Sequence, residues 1–172
     1  MFEKTPAIII HCQKHSDKAM ILHTYTRLNG RMNLVVYGGQ ATGDRHTLRI
    51  PLTLVEISYD NKPNQEMHTL HSFSPLYIPP QQDGIKQLIS LFVGEVIYKT
   101  LKQPMADERV FDFLQDCIKE LNNELVPLQA NDARVFVEEF MAKLSVLLGY
   151  GGERLDEWKN LNSLDMLREM LD

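Results

Sequence analysis

Residues 7–38 read AIIIHCQKHSDKAMILHTYTRLNGRMNLVVYG, and the fold turns on this stretch. Ala7–Cys12 is a short β-branched run. Ala19–Thr26 (AMILHTYT) and Met32–Tyr37 (MNLVVY) are two further runs of residues that pack well on a pleated surface. Between them stands Asn29-Gly30, the strongest short hairpin signal, because both residues accept positive φ. Gly38-Gly39 ends the third run.

Working outward, Gln40–Arg49 is polar, and Leu52–Tyr59 (LTLVEISY) follows Pro51, which suits the start of a strand. Asp60–Gln65 is a turn cluster, and Met67–Phe73 (MHTLHSF) alternates as a fifth strand. Five short strands with no helical pattern between them predict a small antiparallel barrel or sandwich. An OB-fold needs five strands in this span. Periodicity alone leaves an SH3-like barrel open.

Pro79-Pro80 fits neither a helix interior nor a central strand. The chain therefore divides into a β part, residues 1–76, and a helical part, residues 77–172. Beyond the break the apolar spacing turns helical. One stripe runs over Asp83–Leu101, a second from Val110 to Leu121, and a third from Val137 to Leu148. The third has Asn131 or Asp132 as its N-cap and Gly149 as its stop. Leu161, Leu164, Leu167 and Leu171 predict a short fourth helix.

The 172 residues carry a formal charge of -5, which alone argues against a nucleic-acid binder. The total hides a split. Residues 1–51 hold seven Lys/Arg and three acids, a balance of +4; the rest holds 11 against 20, a balance of -9. All six histidines precede residue 72. Such asymmetry points to a polyanion-facing module joined to an acidic one. Two widely spaced cysteines, Cys12 and Cys117, predict reduced thiols and no disulfide framework. The N-terminus lacks the apolar length of a signal peptide, and no run reaches a membrane span, so a soluble cytoplasmic protein is expected.

Catalytic patterns are missing. There is no GxxxxGK[ST], no GxSxG, no HExxH, and no GxGxxG after a strand, so an enzyme is not expected. His11-Cys12-x-x-His15 and His68-x-x-His71 hold ligand types for zinc, but neighbours on a strand point to opposite faces, so no metal or other cofactor is expected. The basic residues are more telling. Lys14, Lys18, Arg27 and Arg31 surround the first two turns, and Arg45 and Arg49 follow the third strand. Tyr25 and Tyr37 sit on neighbouring strands as possible stacking platforms. A cationic groove with aromatic platforms is how such barrels hold single strands.

The same residues, in order, resemble the bacterial RecO family. The resemblance rests on the apolar strand Ile8–His11, the Ser16-Asp17-Lys18 turn, Tyr25-Thr26-Arg27, Gly30-Arg31, the stretch Ile50–Tyr59 (IPLTLVEISY), and Phe140–Tyr150 (FMAKLSVLLGY). It implies an N-terminal OB-fold, a C-terminal helical domain, and a non-enzymatic DNA repair and recombination mediator. That mediator would bind single- and double-stranded DNA, anneal strands, and contact the C-terminal tail of single-stranded-DNA-binding protein. With RecR it would load RecA. The family's basic surface would fall on Lys14, Lys18, Arg27, Arg31, Arg45 and Arg49.

Two departures stand out. The segment GGQATGDRHTLR has fewer positive charges than the family's usual loop, and residues 151–158 lack the zinc-binding cysteines of many members. The family usually continues with more helix, which implies a short variant or a paralogue here. The competing expectation is a RecO-like protein-interaction module with weak or no DNA binding. Its helical half would dock an acidic peptide in a groove rimmed by Lys86, Lys99, Lys102 and Arg134.

Overall fold

Four consecutive residues, Ala7–Ile10, are all buried, which a strand covered on one side only cannot achieve. The computed structural model, which describes residues 2–38, 44–62, 65–81, 83–122 and 129–150, shows why. The elements in chain order are β1 (Phe2–Lys14), β2 (Ala19–Thr26), β3 (Gly30–Tyr37), a 3-10 turn (Thr47–Arg49), β4 (Leu54–Asp60), β5 (Met67–Tyr77), α1 (Gly84–Thr100), α2 (Glu108–Leu121) and α3 (Ala130–Leu147). Ala7 and Ile9 face the barrel interior with Leu22, Leu34, Val55 and Leu70. Ile8 and Ile10 face outward into a second core with α1, α2 and α3. Each such isoleucine contributes about 1.5–3 kcal/mol by leaving water.

The strands close in the order β1-β2-β3-β5-β4. β1 makes closure possible by pairing twice: Ala7–Lys14 along β2, and Phe2–Ile8 along β4. A bulge between Ile9 and His11 bends it from one partner to the other. Four seams are antiparallel, and the fifth, β3 with β5, is parallel. β1 begins five residues before the expected Ala7, and β5 runs past Phe73 through Pro75. Pro75 is tolerated because that end of β5 pairs with β4 alone. Leu52, expected inside a strand, instead has φ 62; its N–H bonds the Ile9 carbonyl at 2.7 Å, and its side chain enters the second core.

The Asn29-Gly30 signal holds for a different reason from the one expected. Only Gly30 takes positive φ (66°), after a three-residue turn Arg27–Asn29. A Cβ on Gly30 would lie 2.2 Å from the Met105 carbonyl oxygen, so the turn also needs glycine to let residues 103–106 pass over it.

Asp83 caps α1, accepting from the Ile85 and Lys86 amides at 3.0 and 3.1 Å, and Asp107 caps α2 in the same way. α3 begins earlier than expected. Its N-cap is Gln129, and Asp132 reaches back to accept the Gln129 N–H at 3.1 Å. Gly149 stops α3 with φ 84°; its N–H bonds the Val146 carbonyl, and the Tyr150 N–H bonds that of Ser145, a Schellman closure. The expected fourth helix lies outside the described residues. Among those described, no helix is long and apolar enough to cross a membrane.

Candidate nucleic-acid interface

The β1–β2 turn and the segment after β3 come together at one end of the barrel. His15 and Ser16 amides both bond the Ala19 carbonyl at 3.0 Å, which tightens the turn, and the Gly38 N–H bonds the Lys18 carbonyl at 2.7 Å, which ties it to the end of β3. Arg45 donates from its guanidinium to the Tyr37 carbonyl, which ties the 3-10 turn region to the end of β3. The result is a cleft of about 420 Å³ lined by Lys14, Lys18, Arg45 and Arg49, with Ser16, Asp17, Cys12 and Gly38 among the other walls. Four cations face one lining carboxylate, Asp17, which pairs with Lys14 at 2.8 Å. Lys18 and Arg49 are exposed. Burial pushes the Cys12 thiol up, against the pull of the Arg49 charge.

Four of the six expected basic residues thus meet. The other two do not. Arg27 forms an ion pair with Asp112 of α2 and lies 4.8 Å over the Phe111 ring. Arg31 lies 4.6 Å over the Tyr98 ring of α1, and its backbone N–H bonds the Gln103 carbonyl at 3.4 Å. Burial holds the Arg31 guanidinium below its usual range, and its Nη1 is buried without a hydrogen-bond partner. Both arginines are struts between barrel and helices. Tyr25 is corrected as well. It is 2% exposed, stacked on Phe111 at 6.5 Å, with its hydroxyl pushed up by burial, so it offers no surface to a base. The cause is common to all three: Tyr98 of α1 and Phe111 of α2 pack over the end of β2 and β3 nearest their connecting turn, part of the face that an OB-fold ordinarily presents to ligands. Tyr37, at the end of β3, is 44% exposed and gives its carbonyl to Arg45, but its side chain is not among those that line the cleft.

The expected peptide rim does not assemble as one edge. Lys86 is buried at 4% exposure, because it sits on the face of α1 that meets the core. Lys99 stands thirteen residues further along α1, about 20 Å away along the axis, and lies 3.8 Å from Glu95. Lys102 is exposed beyond that helix, and Arg134 on α3 pairs with Glu138 at 2.7 Å.

A cluster escaped the sequence reading. His11 and His23 are direct cross-strand partners, their rings stacked at 5.8 Å, and both meet the edge of Tyr98. His23 Nδ1 is 2.7 Å from Asn33 Oδ1, while its Nε2 is buried without a partner. The only signal available beforehand was register: counting back from the Ser16 turn pairs His11 with His23. Among the described residues, no three His, Cys, Asp or Glu side chains converge as a metal site.

The strand order and the parallel closing seam define an OB-fold barrel, here with helices packed on one flank and a basic cleft at one end. A family model described as the N-terminal part of recombination protein O matches residues 1–78. Over 172 residues the chain is 30% identical to the DNA repair protein RecO of Bacteroides fragilis, covering 97% of this chain and 68% of that protein. It is 27% identical over 160 residues to the DNA repair protein RecO of Porphyromonas gingivalis, covering 88% and 65%. A RecO of Phocaeicola vulgatus is 27% identical over 127 residues, covering 71% and 52%. The chain therefore belongs to the RecO family, and it spans about 65% of the length of its Porphyromonas relative.

Proposed function

We propose that this protein is a non-enzymatic DNA repair and recombination mediator that holds DNA through the cleft at the end of its barrel. The observation that carries the reading is the convergence of Lys14, Lys18, Arg45 and Arg49 on one concavity. Their charge neutralises phosphates and releases condensed counterions, so binding is electrostatic and sequence-independent. Two strands held this way repel each other less and meet more often, and base pairing itself then drives annealing. No bond is made or broken by the protein. Membership of the RecO family supports extending the reading to RecA loading in the cytoplasm, with a RecR-like partner and the C-terminal tail of single-stranded-DNA-binding protein as contacts. Duplex as well as single-stranded DNA is part of that extension.

The test is fluorescence anisotropy with a labelled single-stranded oligonucleotide. The Lys14→Ala/Lys18→Ala/Arg49→Ala variant removes three exposed charges without touching either core. Binding weakened by roughly 10- to 100-fold supports the reading, and unchanged binding moves the site elsewhere. An Arg27, Arg31 and Arg49 triple substitution is unsuitable as a test, because two of the three brace the helices.

A second reading has one observation in its favour. With Tyr25, Arg27 and Arg31 engaged in the seam, less basic and aromatic surface is left than the sequence suggested. A RecO-like interaction module with weak DNA binding then takes the place of a mediator, and the same titration separates the two.

A further inference from the structure

The four cations of the cleft stand around a hollow, not along a ridge. Lys14 ends β1 and Lys18 lies in the turn after it, while Arg45 and Arg49 reach the hollow from the segment after β3. Bonds within the fold fix the two sides to each other. The Gly38 N–H bonds the Lys18 carbonyl at 2.7 Å, the Arg45 guanidinium bonds the Tyr37 carbonyl, and the Lys18 N–H bonds the Ser16 hydroxyl at 3.3 Å. A site held in this way has less freedom to lose when it binds.

Charge and size limit what fills the hollow. Four cations against one carboxylate, Asp17, leave a balance of +3, and Asp17 is already paired with Lys14 at 2.8 Å. The volume, about 420 Å³, lies within the roughly 300–1,000 Å³ of small-molecule sites. Ser16 apart, the remaining walls (Cys12, Ala19, Met20, Val36 and Gly38) have no side-chain oxygen or nitrogen, so recognition falls on the anion and not on a base or a sugar. A nucleic-acid strand brings one charge per phosphate, about 3.4 Å apart along the axis, and the hollow must also seat the sugars between them. A linear triphosphate brings about four charges in about two such steps, with no sugar between them. It therefore meets the surplus charge more densely than DNA does and reaches cations on both sides at once. Arg45 and Arg49 offer forked N–H donors to its oxygens, and Lys14 and Lys18 offer point charges.

We propose that the cleft is a site for a triphosphate group, held among Lys14, Lys18, Arg45 and Arg49, and that a triphosphate in the cleft excludes DNA. This rests on the DNA-binding reading above and names what regulates that site. Inorganic triphosphate and a nucleoside triphosphate share the recognised chemistry.

Calorimetry on the full chain, at fixed ionic strength with EDTA present, titrates inorganic triphosphate, adenosine triphosphate and orthophosphate in turn. Anisotropy then follows displacement of a labelled oligonucleotide by each, against sodium chloride at the same ionic strength. Both triphosphates are expected to bind one per chain, with similar affinity, and at least about tenfold more tightly than orthophosphate. Both displace the oligonucleotide beyond what sodium chloride does. In the Lys14→Ala/Lys18→Ala/Arg49→Ala variant, checked by circular dichroism, triphosphate binding falls by at least about tenfold. Triphosphate no tighter than orthophosphate, triphosphate held equally by the triple variant, or displacement no greater than that by sodium chloride overturns the proposal. The DNA-binding reading is then left to its own titration. Triphosphate bound in calorimetry by a chain that holds no oligonucleotide upholds the site and removes the DNA-binding reading.

Discussion

Arg27 and Arg31 carry the same charge as Arg45 and Arg49, lie on the same barrel, and do different work. The first pair meets Asp112, Phe111 and Tyr98 on helices that return from 67 or more residues away in the chain. The second pair meets a turn and a strand end and keeps its charge directed at a cleft. An arginine's role is set by what packs over its guanidinium, which plane it stacks on, and how much water it retains. In a small barrel with helices folded back on one flank, the covered flank turns its cations into struts, and the open end keeps them for a ligand.

The sharpest way to break this comparison is at the contact that brings the covered flank together. Gly30→Ala places a Cβ against the Met105 carbonyl at a residue already in the left-handed region. It is expected to lower stability by about 2–4 kcal/mol, read as a lower thermal midpoint. Full stability in that variant would mean that residues 103–106 do not lie on the turn.

Single arginine substitutions divide the two roles. Arg49→Ala is expected to weaken DNA binding by roughly 3- to 10-fold and to leave stability within about 0.5 kcal/mol. Arg27→Ala is expected to show the reverse, a loss of about 1 kcal/mol and nearly unchanged binding, because its ion pair is partly exposed and its stacking on Phe111 is modest. Parallel denaturation and anisotropy titrations check both, and a swapped pattern would dissolve the distinction between strut and ligand group.

The His11–His23–Tyr98 cluster sharpens the covered flank further through pH. Burial holds the His23 imidazole below its usual value, the Arg31 and His11 charges add to the effect, and the hydrogen bond with Asn33 opposes it. The unfolded chain takes up a proton near pH 6.5, where the folded chain still resists it. The contribution of a neutral His23 is therefore complete above that pH and is lost as pH falls through it. Thermal melts between about pH 8 and pH 5.5 should fall more steeply for wild type than for His23→Gln; parallel curves would show that the imidazole is not held neutral by the seam. The smallest effect is expected at the cleft's own carboxylate. Asp17→Asn frees Lys14 from its 2.8 Å pair and should tighten DNA binding by a few-fold at low salt.

Much of the barrel was legible because its signals are local. The β-branched runs, the turn at Ser16, the glycine at position 30 and the Pro79-Pro80 break each act over a few residues. The double burial of Ala7–Ile10 was also visible as an unbroken apolar run, although its meaning, one face to the barrel and one to the helices, depended on elements more than 70 residues later. The ends of β1 and β5 were misjudged because pairing carried polar residues into strands, and Leu52 because it bonds the Ile9 carbonyl with positive φ, just beyond the Ile8–Leu54 end of the β1–β4 ladder.

At the site, composition identified the basic residues but not their neighbours. Lys14, Lys18, Arg45 and Arg49 are brought together by backbone bonds among turn residues. Tyr25, Arg27, Arg31 and Lys86 were lost to packing that only the assembled helices reveal. The -5 total was misleading for the same reason that the arginines were: charge acts where it is exposed and clustered, not as a sum over the chain.

The account stands most directly on the salt dependence of single-strand binding. Plotted as log affinity against log salt, each phosphate neutralised contributes about 0.7 to the slope. The account predicts a slope near -3 for the wild-type chain, with the Lys14→Ala/Lys18→Ala/Arg49→Ala variant close to -1. Identical slopes for the two proteins would contradict the claim that the cleft is where the strand is held.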